Sequence, residues 1–384
     1  MTVTPETSGD CCDVSVVLST YNRADRLALA LDALLAQVGS ASYEVIVVDN
    51  NSSDRTATVV SQMAAANGRL RYVFEPRQGL SHARNTGIGL ARAPIVALTD
   101  DDVRVASDWI AQLKQTFDAH PEIDYVGGRI LPHWLEPPPG WLTQAHWSPL
   151  ALQDYGDEPL VSGRERAVCL VGANLAFRRR VFDIVGVFTP ALGRVKDGIG
   201  STEDHDMQLR AWRSGMRGLY VPGLRAIADV TPDRLTKAYH RRWHRGHGRH
   251  CAMMRLRELV PADLGPLSEP RDIVTLFGAP AFVYADLART GYNWLRAISR
   301  RGDARFYSHQ FHHVWSYIRT SQTIFATDGN RRAAAELVDF VRRYIRKRRH
   351  AQLNRIATAP DSLLHSSRAS TMSASTVRVN SEDA

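Results

Sequence analysis

DVSVVLSTYNRADRLALALDALLAQVGSASYEVIVVDN, Asp13–Asn50, holds the pattern that decides the fold. Asp13–Ser19 and Tyr43–Asp49 are short, apolar and rich in β-branched residues, as strands buried on both faces must be. Between them, Arg26–Gln37 repeats Leu27, Leu31, Leu34 and Leu35 at helical spacing. The same unit recurs downstream. Leu70–Glu75 and Ile95–Thr99 are strand-like, while Arg55–Ala66 and Ser81–Ala91 are helix-compatible. Strands alternating with helices predict βαβ units and a parallel sheet, an α/β domain. Ligands of such sheets bind beyond the carboxyl ends of the strands.

The alternation stops near Pro132. His133–Pro149 is rich in Trp and Pro, which predicts an irregular loop or lid. Val168–Phe177 resumes a strand-like pattern, Thr202–Ser214 is amphipathic and helical, and Arg217–Val221 reads as a last strand. From Arg234 the chain turns helical and basic, and Glu269–Arg349 predicts several helices and no good strands. Ser362–Ala384 is Ser/Thr-rich and weakly apolar, which predicts disorder.

The 384 residues, 44% hydrophobic and 23% charged, suffice for a sizeable core. A formal net charge of +8 and a pI of about 9.5 favour anionic partners: nucleotide phosphates, anionic lipid or nucleic acid. Cys11, Cys12, Cys169 and Cys251 form no CxxC pair and no zinc-like spacing, which fits a reducing compartment. Met1–Asp10 is polar and unlike a signal peptide, and no apolar run reaches the ~18 residues of a membrane span. The expected location is the cytoplasm, with peripheral attachment to the inner face of the plasma membrane as an option.

Four constellations fall at the ends of predicted elements. Ser19-Thr20-Tyr21-Asn22-Arg23 joins the first strand to the first helix, where Asn22 suits an N-cap and free amides suit an anion; a plain turn explains it equally. Asp49-Asn50-Asn51-Ser52-Ser53-Asp54 follows the second strand, where an acid can bind a ribose or base, although these residues also favour turns. Asp100-Asp101-Asp102 ends the fourth strand; three adjacent carboxylates repel one another unless solvated, paired or neutralised by a cation. Thr202-Glu203-Asp204-His205-Asp206 opens a helix, where acids favour the dipole and Glu203 or Asp204 can serve as a general base.

Taken in order, these segments resemble family-2 glycosyltransferases of the GT-A fold. The matches are TYNR at Thr20–Arg23, VVDNNSSD at Val47–Asp54, GLSHARNTGI at Gly79–Ile88, TDDD at Thr99–Asp102, GANLAFRR at Gly172–Arg179, and Glu203-Asp204. They cover roughly residues 13–235. The resemblance implies donor-nucleotide contacts from Thr20, Asn22, Arg23, Asp49, Asn51, Arg84 and Asp100, with Asn85 bordering that site. It implies a divalent metal, Mg²⁺ or Mn²⁺, on Asp101 first and Asp102 with it. It implies Asp204 as catalytic base with Glu203 beside it. The implied partners are a nucleotide-sugar donor, a UDP-sugar foremost, and a glycan or lipid-linked acceptor, with inversion at the anomeric carbon.

One departure stands out. Many members carry a metal-binding histidine after the last strand, whereas this chain reads Arg225–Pro232 there; Asp229, or His240, His244 or His247, are the candidates to replace it. Tyr239–His250 (YHRRWHRGHGRH) reads either as a phosphate binder or as a solvated basic face. Thr275–Arg301 mixes aromatics with arginines, and Arg342–Arg349 (RRYIRKRR) is cationic. Both suit an anionic membrane surface, and a helical subdomain packed on the α/β domain is the alternative. Nucleic acid is the less favoured partner, since no recognition module accompanies the charge.

The expected organisation is a flexible 1–12, a GT-A catalytic domain at 13–235, a basic helical region at 236–350 and a disordered tail at 351–384. The rival functions are a metal-dependent nucleotidyltransferase and a non-catalytic membrane adaptor. The first is disfavoured because the Thr20–Arg23 turn has no glycine, the second because Asp100–Asp102 and Glu203-Asp204 are intact.

Overall fold

A computed structural model describes residues 12–196, 198–199, 202–254, 275–299, 304–326, 335–336, 338–343 and 346. The expected flexible end at 1–11, the tail at 351–384 and most of the cationic cluster at 342–349 lie outside these residues.

The opening pattern folds as read. β1 (Val14–Thr20), α1 (Ala24–Leu35), β2 (Tyr43–Asp49), α2 (Thr56–Ala66), β3 (Leu70–Phe74), α3 (Leu80–Leu90) and β4 (Ile95–Asp100) follow one another, and β3, β2, β1 and β4 pair in parallel in that order. Every residue of β1 and β2 is buried. Alternate side chains reach two cores. Val14, Val16 and Leu18 meet Leu27, Leu31 and Leu34 of α1 on one face, while Val17 meets Ile46, Val48 and Ala83 on the other. Gly87 lets α3 lie directly on the sheet, since a Cβ there would overlap Val17.

Beyond β4 come β5 (Val103–Val105), α4 (Trp109–Ala119), β6 (Tyr125–Trp134), β7 (Leu160–Ser162), β8 (Asn174–Arg178), α5 (Arg180–Val185), α6 (Glu203–Arg213) and β9 (Gly218–Val230). Among the described residues the sheet order is β3-β2-β1-β4-β8-β6-β9-β5, with β7 on β9. β5, β7 and β8 run antiparallel to their neighbours, and the remaining strands share one direction. The result is an α/β domain with a mainly parallel central sheet.

Three sequence expectations change. The strand read at Val168–Phe177 is confined to Asn174–Arg178. The last strand does not stop at Val221 but continues to Val230, because the β6–β9 register shifts at Gly128/Arg129 and so absorbs Pro222-Gly223-Leu224 as a bulge. His133 and Trp134 belong to β6, and the rest of the Trp/Pro segment carries two 3₁₀ turns, Gln144–His146 and Ser148–Leu150.

The C-terminal part is helical: α7 (Lys237–Met253), α8 (Ala281–Ser299) and α9 (Ala304–Ala326), with α9 packed on both α7 and α8. A short antiparallel pair, Thr275–Leu276 with Ala279–Pro280, precedes α8 where no strand is predicted. No helix among the described residues is long and apolar enough to cross a membrane.

Candidate functional site

The carboxyl ends of β1 and β4 open into a cleft of about 690 Å³. Thr20, Arg23, Arg84, Asp100, Asp101, Asp102, Glu203 and Asp204 all line it. Asn22, Asp49 and Asn51 do not. Their side chains hold the loops beneath: the Asn22 carbonyl oxygen accepts from Ser53 N at 2.7 Å, and Asp49 accepts from Ser52 N and from the Tyr72 hydroxyl, each at 2.9 Å. Asn51 is exposed and reaches only Pro76 O, at 3.5 Å.

Asn22 also differs from its expected role as a helix cap. It takes a positive φ of 52°, and Arg23 occupies the N-cap position of α1. Thr202 does stand at the N-cap of α6, but its hydroxyl makes no cap bond.

Arg84 is the hub. It projects from α3, buried, and donates to Glu203 Oε1 at 3.0 Å, Asp204 Oδ1 at 2.7 Å and Asp100 Oδ1 at 3.3 Å. One cation thereby joins the strand-end acids to the helix-start acids. Burial works against its charge, but Asp204, Asp100 and Glu203 together hold the guanidinium protonated beyond its ordinary range. Asp204 is fixed from the other side by Gly172 N, 2.8 Å from Oδ2. A Cβ on Gly172 would lie 2.5 Å from Asp204 Oδ1 and 2.7 Å from Arg84 Nη2, so a side chain there would displace the carboxylate or the guanidinium.

The Asp100–Asp102 run divides its duties. Asp101 is buried, accepting from the Thr20 hydroxyl at 2.8 Å through Oδ2 and from Arg23 at 2.9 Å through Oδ1. Burial pushes its pKa up to about 6 against the pull of Arg23. Arg23 also donates to Asp102 Oδ2 at 2.9 Å, and Arg234 stands 3.7 Å from the same oxygen. Asp100, the most exposed of the three side chains at 30%, has its pKa raised by burial among like charges while Arg84 opposes the shift.

Among the described residues no group of three or more His, Cys, Asp or Glu side chains is arranged to hold a metal unaided. The donor set nevertheless suits a hard cation arriving with its substrate. Mg²⁺-type ions commonly take one or two carboxylates and complete their shell with phosphate oxygens and water. Both Asp101 oxygens are engaged, by Thr20 and Arg23, whereas the arginine contacts of Asp102 and of Asp100 fall on one oxygen each.

Several further residues line the cleft, His244 and His247 among them, which the sequence offers as candidates for the missing histidine. Arg194 and Lys196 enter from the loop before α6, and the Arg194 Nε is buried without a partner among the described residues. Gln144 and Trp147–Leu150 come from the Trp/Pro segment. Trp243, His244, His247, Gln310 and His313 form a further wall from α7 and α9. Cys169 lines the cleft too, and burial pushes its thiol up, away from the reactive thiolate form.

The basic stretch on α7 resolves into two faces. His240 and His244 point inward while Arg241, Arg242, Arg245 and Arg249 are exposed. His309 of α9 stacks against His240 at 5.7 Å and His244 at 5.2 Å between ring centroids, and His247 stacks on Trp243 at 4.5 Å. Burial and neighbouring histidines lower the His240 pKa to about 4 and the His244 pKa to about 2, so both are neutral at pH 7. A spacing of histidines four apart beside arginines four apart is the signal that separates the faces. Asp229, the other candidate for the missing histidine, does not line the cleft; it binds Arg104 at 2.8 Å and His133 at 2.9 Å.

Comparison with known proteins bears on this site. Residues 15–185 match the sequence model of Glycosyl transferase family 2. A glucosyl-dolichyl phosphate glucuronosyltransferase of Haloferax volcanii is 27% identical over 210 residues, covering 54% of this chain and 66% of that protein. Succinoglycan biosynthesis protein ExoO of Rhizobium meliloti is 37% identical over 108 residues, covering 28% of this chain and 30% of that protein. The chain thus spans less than two thirds of the length of these relatives. A mannosyltransferase from Pyrobaculum calidifontis, solved with GDP-Man and Mn²⁺, aligns at a TM-score of 0.47 and 20% identity, covering 94% of this chain and 80% of that one.

Proposed function

We propose that this chain, whose residues 15–185 match the sequence model of glycosyl transferase family 2, transfers a sugar from a nucleotide-diphosphate-sugar donor to an acceptor hydroxyl, with inversion at the anomeric carbon. A UDP-sugar is the foremost donor class, and the acceptor is a glycan or a lipid-linked sugar in cell-envelope or exopolysaccharide synthesis. The names of the glucuronosyltransferase and succinoglycan relatives support that acceptor class.

The observation that carries the reading is the Arg84 hub, which gathers Asp100, Glu203 and Asp204 at one cleft. A cleft of about 690 Å³ falls within the roughly 300–1,000 Å³ of small-molecule sites and accommodates a nucleotide sugar. Thr20 and Arg23 border the nucleotide end, and Arg194, Lys196 and Arg234 supply positive charge for the diphosphate. A divalent cation on Asp102 and Asp100 would offset the charge gathering on the leaving diphosphate.

Asp204 is the general base. Arg84 and the Gly172 amide fix both its oxygens, leaving further lone pairs to accept the acceptor's hydroxyl proton. The acceptor oxygen then forms its bond to the anomeric carbon as the bond to the diphosphate breaks, the electron pair leaving with the nucleotide. Glu203, buried behind, positions Asp204 through the shared Arg84. Asp49 and Asn22 serve indirectly by holding the two loops that present Thr20 and Arg23.

The test is calorimetric binding of UDP, GDP, TDP and CMP with and without Mn²⁺ or Mg²⁺, on the parent, Asp102→Ala and Asp204→Asn. Metal-dependent binding of one nucleotide, lost in Asp102→Ala and kept in Asp204→Asn, is the expected result. Binding of none of the four by the folded parent would refute it.

A further inference from the structure

Helix α8 is apolar on two sides. Val283 and Ala297 are buried beneath it, yet Tyr292, Leu295 and Ile298, spaced three apart, are 63%, 67% and 57% exposed along its outer side. The charges flanking this stripe are arginines, Arg289 and Arg296, and the one acid of the helix, Asp286, is paired with Arg289 at 2.7 Å. An uncovered stripe of large aliphatic and aromatic side chains calls for an occupant.

The stripe continues onto its neighbours. Trp294 packs against Phe311 of α9 at 5.6 Å, and Phe311 stacks on Trp315, which is 46% exposed. Trp294 also meets His312, at 6.4 Å. Burial, then Arg245 and Arg241 of α7, lowers the His312 pKa, and the Ser316 hydroxyl donates to the Arg245 carbonyl at 2.8 Å. The exposed arginines of α7 therefore border the aromatic surface of α8 and α9. Along α7, α8 and α9 the bases are Lys237, Arg241, Arg242, Arg245, Arg249, Arg289, Arg296, Arg305 and Arg319, and Asp286 is the sole acid.

We propose that this band docks the protein on an anionic lipid bilayer, with Tyr292, Leu295 and Ile298 entering the interfacial layer and the surrounding arginines meeting lipid phosphates. Aromatic and aliphatic side chains beside arginines match the layered chemistry of a bilayer interface. A second copy of this chain fits poorly, since face-to-face pairing would bring together the cations of both copies, with Asp286 the one acid along α7, α8 and α9. Nucleic acid would satisfy the arginines but gives Leu295 and Ile298 no apolar contact. The same helix α9 lends Gln310 and His313 to the cleft, so docking would bring the cleft wall close to a lipid-borne acceptor.

The experiment is flotation of the full chain with phosphatidylcholine vesicles, with and without phosphatidylglycerol, at low and high salt. It needs neither donor nor activity, so it stands apart from the glycosyltransferase reading. The parent should float only with the anionic vesicles. Leu295→Ser with Ile298→Ser should weaken partitioning roughly tenfold, and Arg289→Gln with Arg296→Gln roughly fivefold per arginine. High salt should weaken the parent as the arginine variant is weakened. All substituted side chains are exposed, so the thermal midpoints should match the parent and confirm folding. No flotation of the parent overturns the proposal, as does flotation unchanged in both folded variants. A concentration-dependent dimer abolished by Leu295→Ser with Ile298→Ser also overturns it, assigning the stripe to a second copy.

Discussion

Replacing Arg84 by methionine keeps the length of the side chain and removes its charge. Three carboxylates then converge without the guanidinium that joins them. Their exposures decide the cost: the Glu203 side chain is 2% exposed, Asp204 20% and Asp100 30%. Asp204 and Asp100 retain some water, so Glu203 bears most of the penalty. Breaking a buried ion pair by deleting one partner costs about 3–5 kcal/mol, and Arg84→Met should fall in that range at pH 8 by denaturant unfolding. The sign of its pH dependence follows. Burial already raises the Asp100 pKa against the pull of Arg84, and with that pull gone the folded variant binds more protons than the unfolded chain as pH falls. Its deficit relative to the parent should therefore shrink between pH 8 and pH 5.5, by up to about 1.4 kcal/mol per pH unit for each carboxyl that titrates. Arg84→Met combined with Glu203→Gln should recover part of the loss. A cost below about 1 kcal/mol, or a deficit equal at pH 8 and pH 5.5, would refute the assignment of Arg84 as the charge that holds these acids together.

Gly172→Ala should act on catalysis more than on folding. Its Cβ would stand 2.5 Å from Asp204 Oδ1. Displacing a general base should cost on the order of 10²–10⁴ in turnover, with nucleotide binding close to the parent's; unchanged turnover would place the base elsewhere. Acid should also unfold the chain early through its buried histidines. The folded pKa of His240 is lowered to about 4, by burial first and then by His309 and His146. An unfolded histidine titrates near 6.5, so the unfolded state binds more protons between the two values. Stability is whole above about pH 6.5 and falls below it, by about 2 kcal/mol at pH 5 for His240 alone. His244 and His313, with pKa values lowered to about 2 and about 4, add to the loss. Thermal midpoints at pH 7.5 and pH 5 check this, and equal values would contradict it.

The parallel half of the sheet was legible because its rule is local. Strands buried on both faces need unbroken β-branched runs, and β1, β2 and β4 have them. β6 was not, and β9 only as far as Val221, because Gly127-Gly128 and Pro222-Gly223 interrupt the apolar pattern. Only the pairing of two strands distant in sequence turns those residues into a bulge. The histidines of α7 stayed one option among several for a related reason. α7 is basic by composition, and the inward direction of His240 and His244 is set by α9, some 60–70 residues away, whose backbone at His313 lies against Gly248.

The acids show where motif reading stops. Position at a strand end marks Asp49, Asp100, Asp101 and Asp102 alike as candidates, but each carboxylate has two oxygens and the fold decides how they are used. Ser52 and Tyr72 take those of Asp49, and Thr20 and Arg23 take those of Asp101. Asp102 and Asp100 keep more of their coordinating capacity toward the cleft. Asp101→Asn should on this account disturb Arg23 and Thr20 and weaken metal-dependent nucleotide binding in part, whereas Asp102→Ala should abolish it. The reverse order would mean that Arg23 leaves Asp101 when the donor enters, and that the arginine holds the cation's place until then.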